Sequence, residues 1–252
     1  MAGNYYLRGG DLLDKTFIPF AALQQAIFMA RPNRFLVRCK LVDSSEVVEA
    51  HLADPGRLTE LLLPGVILYV EHANNPNRKT KWSVILVKDN ATGILVSVRS
   101  TLANQLAGQA LQMQAISELS DWQFDRAEFT LGNSRLDFLL KNKIGEQKLV
   151  EVKSCTLVHN KVAMFPDAVT ARGQKHVREL TNLQLNGDYS CAILFIVQRA
   201  DAKFFRPADH IDPTFGQLLR EAHKQGVLIL AYKSIVTLSG IKLGGTLPLD
   251  LR

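Results

Sequence analysis

A chain of 252 residues, 47% hydrophobic and 21% charged, can build one large domain or two modest ones. No apolar run approaches the ~20 residues of a membrane span, residues 1–16 lack the apolar segment of a secretory signal, and Cys39, Cys155 and Cys191 form no Cys-x-x-Cys pair, which argues against a disulfide framework or zinc site and for a reducing cytoplasm. The net charge of +6 favours polyanionic partners through release of condensed cations, although charge alone does not separate a nucleic-acid binder from any other basic protein.

After a tail of residues 1–16, residues 17–98 read as β-rich. Apolar and β-branched runs at 35–42, 47–52, 66–71, 82–87 and 94–98 alternate with turn formers at 43–45, 54–56, 74–77 and 90–93. Five short strands with one short helical insert at 57–63 point to a small barrel of the oligonucleotide/oligosaccharide-binding (OB) kind. Residues 21–29 fit helix or strand by propensity, and Pro32 limits any helix there. Arg34, Arg38, Lys40, Arg78, Lys79 and Lys81 lie near Phe35, Tyr69 and Trp82. Basic groups beside aromatic platforms suit a barrel that holds single strands, and the same aromatics suit a core under a solvated rim.

Beyond Ser100 the texture changes. Leu102, Leu106, Ala110, Met113 and Ile116 recur at helical spacing over 102–119. Strand-like runs follow at 127–131, 136–140 and 149–155, then a helix at 171–185, a strand at 191–197, a helix from Pro213 ending before Gly226, and a buried strand at 227–232. This order is a mixed α/β layer architecture over residues 99–252.

Asp137 and Glu151 fall on two successive strands joined by a turn at 141–148. Strand side chains alternate faces. If Leu136, Phe138, Leu140, Val150 and Val152 share one core, then Asp137, Glu151 and Lys153 share the other face. A hairpin register in which opposed residue numbers sum to 288 sets Asp137 across from Glu151, with Cβ atoms ~4.5–5.5 Å apart. Two carboxylates that close repel unless a cation bridges them, and Mg²⁺ favours one or two carboxylates completed by waters and phosphate oxygens, with ligand distances of about 2.0–2.6 Å covering Mg²⁺ and Ca²⁺. Lys153 then stands beside the pair, where an ammonium orients a water or stabilises phosphate charge. A pattern this short also occurs on ordinary exposed strand faces carrying a salt bridge.

A polar helix reinforces the pattern. Val169, Gly173, Val177 and Leu180 form a stripe that fits a sheet, while Gln174 and Arg178, four apart, share another face and either reach the carboxylates or remain in solvent. Asp167, just after Pro166, fits a helix cap, and His176 is either a general base or a structural residue.

The runs SRLDFLL, VEVKSCTL, MFPDAVTARGQKHVREL and VLILAYK, with NRFLV and HLADPGRL before them, closely resemble the sugar fermentation stimulation protein A (SfsA) family over residues 24–234. The resemblance implies an OB-like domain followed by a nuclease-like domain of the PD-(D/E)xK superfamily. It implies Asp137 and Glu151 as metal ligands, Lys153 as the motif lysine and Gln174 as the helical polar residue; Leu136 stands where the superfamily label has Pro. The first helix of such a domain supplies a further polar residue, for which Glu118 and Asn104 are the candidates. His51, Asp54, Pro55, Gly56 and Arg57 lie in a signature loop that serves as a turn, a domain contact or a substrate contact. Arg34, Arg38, Lys40, Arg57, Arg78, Lys79, Lys81 and Trp82, with Arg172, Lys175 and Arg178 on the helix, make up the candidate nucleic-acid-binding set. The family's association is with sequence-non-specific DNA binding and with regulation of sugar, especially maltose, metabolism. The expectation is a cytoplasmic DNA-binding protein, with RNA as the other candidate, carrying a Mg²⁺- or Mn²⁺-dependent nuclease site. The alternatives are a non-catalytic DNA-binding regulator that keeps the fold, or carbohydrate binding by the barrel.

Overall fold

The first described strand, β1 (Ile18–Pro19), does not join the barrel that the sequence places from residue 17. It pairs antiparallel with the last strand, β16 (Gly240–Thr246), at the edge of the second domain's sheet. The computed structural model describes residues 12–132 and 134–252, so the reading of residues 1–11 as a tail without a secretory signal lies outside it. Leu12 and Leu13 pack against the second domain's core, and the buried Thr16 hydroxyl accepts from the Leu243 amide at 3.0 Å. A Cβ on Gly240 would lie 2.5 Å from the Ile18 carbonyl oxygen and 2.4 Å from the Phe17 ring. Gly240→Ala is therefore expected to unseat β1 and lower stability by about 1–3 kcal/mol, the usual range for overpacking. Urea unfolding with an unchanged midpoint would refute this.

The barrel begins at β2. Strands β2 (Leu23–Asn33), β3 (Leu36–Leu41), β4 (Val47–Leu52), β5 (Ile67–His72), β6 (Trp82–Lys88) and β7 (Leu95–Ser97) run in the order β4-β3-β2-β5-β6-β7. A parallel pairing of β4 with β6 closes the first five of these into an OB-like barrel, which removes free edges. Alternate residues such as Ala26, Phe28, Val37, Cys39, Val48 and Ala50 fill it. Of residues 21–29, those from Leu23 on resolve as strand, and β2 runs on past Pro32. The expected helical insert at 57–63 is a turn instead. Leu58 adopts φ 51°, incompatible with helix continuation, while Leu58, Leu61 and Leu62 plug the barrel core.

Helix α1 (Thr101–Gln112) opens the second domain and is shorter than the expected 102–119. Gln114, with φ 54°, turns the chain, and a 3₁₀ turn follows at Ser117–Leu119. Strands β8 (Trp122–Leu131), β9 (Ser134–Asn142), β10 (Gln147–Cys155), β13 (Ser190–Val197) and β15 (Leu228–Val236) join β16 and β1 in the order β1-β16-β15-β13-β10-β9-β8. A small sheet of β11 (Val158–His159), β12 (Val162–Phe165) and β14 (Phe204–Pro207) stands beside it, and helices α2 (Ala171–Asn186) and α3 (Pro213–Lys224) complete the chain. β10, β13 and β15 are parallel and buried on both faces, as crossover connections require. One face of the sheet packs on α1 through Phe138, Leu140, Val150 and Val152. The other packs on α2 and α3 through Leu139, Leu149, Val177, Leu180, Phe215 and Leu219. Leu136 belongs to this second core, not to the first as its parity predicts.

The domains are tied at several points. Arg199, 1% exposed, pairs with Asp89 of the barrel and Asp201 of its own domain, both at 2.7 Å. The Ser97 amide donates to the Gln198 carbonyl at 3.0 Å, and the Leu58 amide to Asp167 at 3.3 Å. Asp167 thus does not cap α2. Thr170 is the cap, accepting from the Gly173 amide at 3.0 Å, and Val169 lies outside the helix with 69% exposure. Gly56 is required by this contact, since a Cβ there would lie 2.3 Å from the Asp167 carboxylate. Among the described residues, no helix is long and apolar enough to cross a membrane, and the three cysteines are free and buried.

Candidate functional site

The β9–β10 hairpin pairs Lys141 with Gln147, Leu140 with Lys148, Leu139 with Leu149 and Phe138 with Val150, the register in which numbers sum to 288. The ladder ends there, one step before Asp137 and Glu151 would oppose each other. Opposite Asp137 on β8, Glu128 takes φ 56°, breaking regular pleating. Where β9 and β10 part beyond Phe138 and Val150, Asp137 Oδ2 accepts the Val152 amide at 2.7 Å and Oδ1 accepts Asn104 Nδ2 at 2.6 Å.

Glu151 is 4% exposed between β9 and β13. Its Oε1 accepts Lys153 Nζ at 2.6 Å and contacts His176 Nδ1. An ionised carboxylate only accepts, so Nδ1 carries the proton in that contact. Burial pushes the Glu151 carboxyl up, but the bonds from His176 and Lys153 outweigh it and hold the group below the usual range. Asp137 goes the other way: burial first, then the charge of Glu151, push it up to about 6. Glu151 Oε2 is buried with no hydrogen-bond partner among the described residues. A buried ionised oxygen without a donor is costly, and a cation is the partner its chemistry lacks. Among the described residues no three His, Cys, Asp or Glu side chains converge as a complete metal cage. The donor set is two carboxylates, which matches a hard cation completed by water or phosphate oxygens.

A groove of about 630 Å³ opens onto Asp137, lined by Asn104, Gln105, Gln109, Arg135 and Arg172. A larger cleft of about 690 Å³, lined by Leu131, Ser134, Glu179 and Tyr189, holds none of the three motif residues.

The structure brings Asp137, Glu151 and Lys153 together and adds Asn104 and His176. Gln174 goes elsewhere: its amide donates to both Asp212 oxygens at 3.0 and 3.1 Å, and Asp212 also accepts the Thr170 and Phe215 amides, joining the starts of α2 and α3. His176, two residues on, points to the opposite side of the helix and meets Glu151. Glu118 is also remote, accepting the Tyr232 hydroxyl at 2.6 Å. Of the basic candidates on α2, Arg172 reaches the groove, Lys175 pairs with Glu179 at 3.5 Å, and Arg178 is exposed.

The barrel candidates divide. Arg38 pairs with Glu49 at 3.5 Å, each about half exposed, with Arg34 and Lys40 exposed nearby. Arg57 is exposed, and its carbonyl, with that of Gly56, accepts from Arg31. Arg78 and Lys79 line a separate cleft beside α1, while Lys81 is exposed. Trp82 is half-buried, packing on the barrel core and edge-on to His72 at 4.9 Å.

Two family models match, one described as the SfsA N-terminal OB domain over residues 29–98 and one as the sugar fermentation stimulation protein RE domain over residues 101–240. A sugar fermentation stimulation protein homolog of Shouchella clausii is 44% identical over 221 residues, covering 88% of this chain and 94% of that one. One of Methanothermobacter thermautotrophicus is 41% identical over 205 residues, covering 81% and 83%. The solved structure of Pyrococcus furiosus SfsA in complex with Ca²⁺ superposes with a TM-score of 0.84 at 29% identity, covering 92% of this chain and 98% of that one. Barrel, α/β domain and both matched segments agree, and the chain belongs to the sugar fermentation stimulation protein family.

Proposed function

We propose that this protein binds nucleic acid, DNA in the first instance, and hydrolyses its phosphodiester bonds with a divalent cation held by Asp137 and Glu151. The observation that carries this reading is the buried, unpartnered Glu151 Oε2 beside a second carboxylate and a lysine. The Ca²⁺ in the Pyrococcus relative supports a hard divalent ion, and Mg²⁺ or Mn²⁺ is the working choice for phosphoryl chemistry. When bound, such an ion supplies Lewis-acid stabilisation of phosphate charge and acidifies a water. The chain's own groups do the rest. Asn104 and the Val152 amide fix Asp137, and His176 fixes Glu151 and keeps it ionised. Lys153, its side chain 11% exposed, presents an ammonium to the phosphate where charge builds up. Arg172, at the groove mouth, is placed to steer the strand.

Cleavage is tested with labelled single- and double-stranded DNA and RNA in Mg²⁺ or Mn²⁺, with Glu151→Ala alongside. Metal-dependent cutting that the variant lacks supports the enzyme. Binding without cutting on every substrate selects the non-catalytic regulator.

Metal affinity also has an expected pH dependence. Because burial and then the charge of Glu151 push the Asp137 carboxyl up to about 6, cation binding must displace a proton below that pH. Affinity is expected to be flat above pH 7 and to fall about tenfold per unit below pH 6. Calorimetry with Mn²⁺ at pH 5, 6 and 7.5 reads this, and a pH-independent affinity would remove Asp137 from the ligand set.

A further inference from the structure

Barrel closure creates a second polar feature beside the carboxylate site. The parallel β4–β6 pairing sets His51 directly against Ser83. The loop before β6 brings Arg78 and Lys79 over them, with Arg78 Nη2 donating to Ser83 Oγ at 3.0 Å. The crossing from β7 to α1 adds Arg99 and Thr101, and these six residues line a cleft of about 440 Å³. No carboxylate lines it; Glu71 stands behind, 3.3 Å from Arg99. Three guanidinium or ammonium groups, an imidazole and the hydroxyl residues Thr80, Ser83 and Thr101 thus line one cleft, and of the three cations Arg99 is offset by Glu71 from behind. The positive end of the α1 dipole points the same way. Burial and then the Arg78 charge hold the His51 imidazole below its usual range, which agrees with a positive field there.

The position gives the cleft its meaning. Thr101 is the first residue of α1, and Asn104, three residues on and therefore its neighbour on the helix surface, donates to Asp137. The basic cleft and the carboxylates flank the same helical turn, one from the barrel and one from the α/β domain.

We propose that this cleft is a second phosphate subsite, which holds a phosphate of the bound strand neighbouring the one at Asp137 and Glu151. It rests on the reading that the carboxylate site engages a nucleic-acid strand, but not on cleavage. The recognised chemistry is a phosphate group, either an internal diester or a terminal monoester. Arg78, Lys79 and Arg99 supply charge, and His51, Ser83 and Thr101 supply directional donors.

The test is binding of fluorescent single-stranded oligonucleotides of one sequence, bearing a 5′-hydroxyl, a 5′-phosphate or a 3′-phosphate, to the full chain in Ca²⁺ and in chelator. Arg78→Gln combined with Lys79→Gln is expected to weaken binding about tenfold at 0.1 M salt and to flatten the salt dependence by about one unit of slope. A control with the same charge change at Lys143 and Lys224, exposed residues outside the cleft, is expected to change both far less. Equal losses on all three oligonucleotides identify an internal diester, whereas loss of a preference for one phosphorylated end identifies a terminal monoester. Thermal unfolding confirms that the variants fold. The subsite is overturned if the cleft variant binds with wild-type affinity and slope, if the control loses as much, or if the wild type binds none of the oligonucleotides. Cleavage is scored separately, so a protein that binds through the cleft but never cuts would refute the nuclease and leave the subsite standing.

Discussion

Lys153→Ala is expected to slow phosphodiester cleavage by roughly 10²–10³-fold, the cost of removing one preorganised donor, while leaving affinity for Mg²⁺ or Mn²⁺ nearly unchanged. An ammonium does not ligate a cation, so its removal leaves the oxygens of Asp137 and Glu151 available. Glu151 stays anchored, because His176 still contacts Oε1. Without Lys153 the Glu151 carboxyl moves up from its depressed position, so the comparison belongs at pH 8, where both carboxylates remain ionised. Glu151→Ala behaves differently, losing metal affinity and cleavage together. Calorimetry beside a cleavage assay reads the contrast. A Lys153 variant that cuts at the wild-type rate would reduce Lys153 to a structural charge.

Arg199→Ala carries the largest expected loss of stability. It takes the guanidinium from Asp201 and from Asp89 Oδ2, each side chain 12% exposed, at a place where Arg199 itself is 1% exposed, and leaves Asp89 only the Ala91 and Thr92 amides on Oδ1. Breaking a buried pair from one side costs about 3–5 kcal/mol, because a charge remains desolvated without its partner. At about 2–4 °C per kcal/mol for chains near this size, the melting temperature should fall by roughly 10 °C. Adding Asp89→Asn and Asp201→Asn should restore part of the loss, since no unpaired charge is then buried. The Asp89 carboxyl lies below its usual range, with burial opposing and the Arg199 bond prevailing. Its contribution is therefore present above the unfolded carboxylate pKa and disappears as pH falls through the lower folded value. A melting temperature unmoved by Arg199→Ala would show that the buried Arg199 pairs contribute no net stability.

The placement of Glu151 beside Lys153 on β10, next to Asp137 on β9, was legible because strand alternation converts residue number into direction. The register of the hairpin follows from burying Phe138, Leu140, Val150 and Val152 together, and the structure has that register. What alternation does not encode is where pairing stops. Neither the end of the ladder at Phe138 and Val150 nor the left-handed backbone of Glu128 has a counterpart in the side-chain pattern. The two polar candidates on α2 exchanged roles for a similar reason. Gln174 and His176 both offer an inward polar group, and the choice was made by Asp212, 38 residues away in the chain, which takes the Gln174 amide. Asn104 had a signal, since it sits on the apolar helix beside Leu106 and Ala107, where an uncompensated amide calls for a partner. Strands β1 and β16 had almost none. One is two residues long, and the other contains Gly240, Gly244 and Gly245, which lower strand propensity.

The docking of β1 onto β16 makes the barrel an inserted module. The described chain starts in the α/β sheet, leaves it after Pro19, builds strands β2 to β7, and returns at α1 to complete the sheet it left. Two covalent crossings, near residues 20–22 and 98–100, join the barrel to the α/β domain, so it does not hang on a single linker. The arrangement also imposes an order on assembly. The barrel's strands are contiguous in sequence and can pair as they emerge, whereas the outermost edge of the α/β sheet is sealed only when β16 meets a strand synthesised some 220 residues earlier. Until then β16 presents an open edge, the kind of surface that recruits other chains.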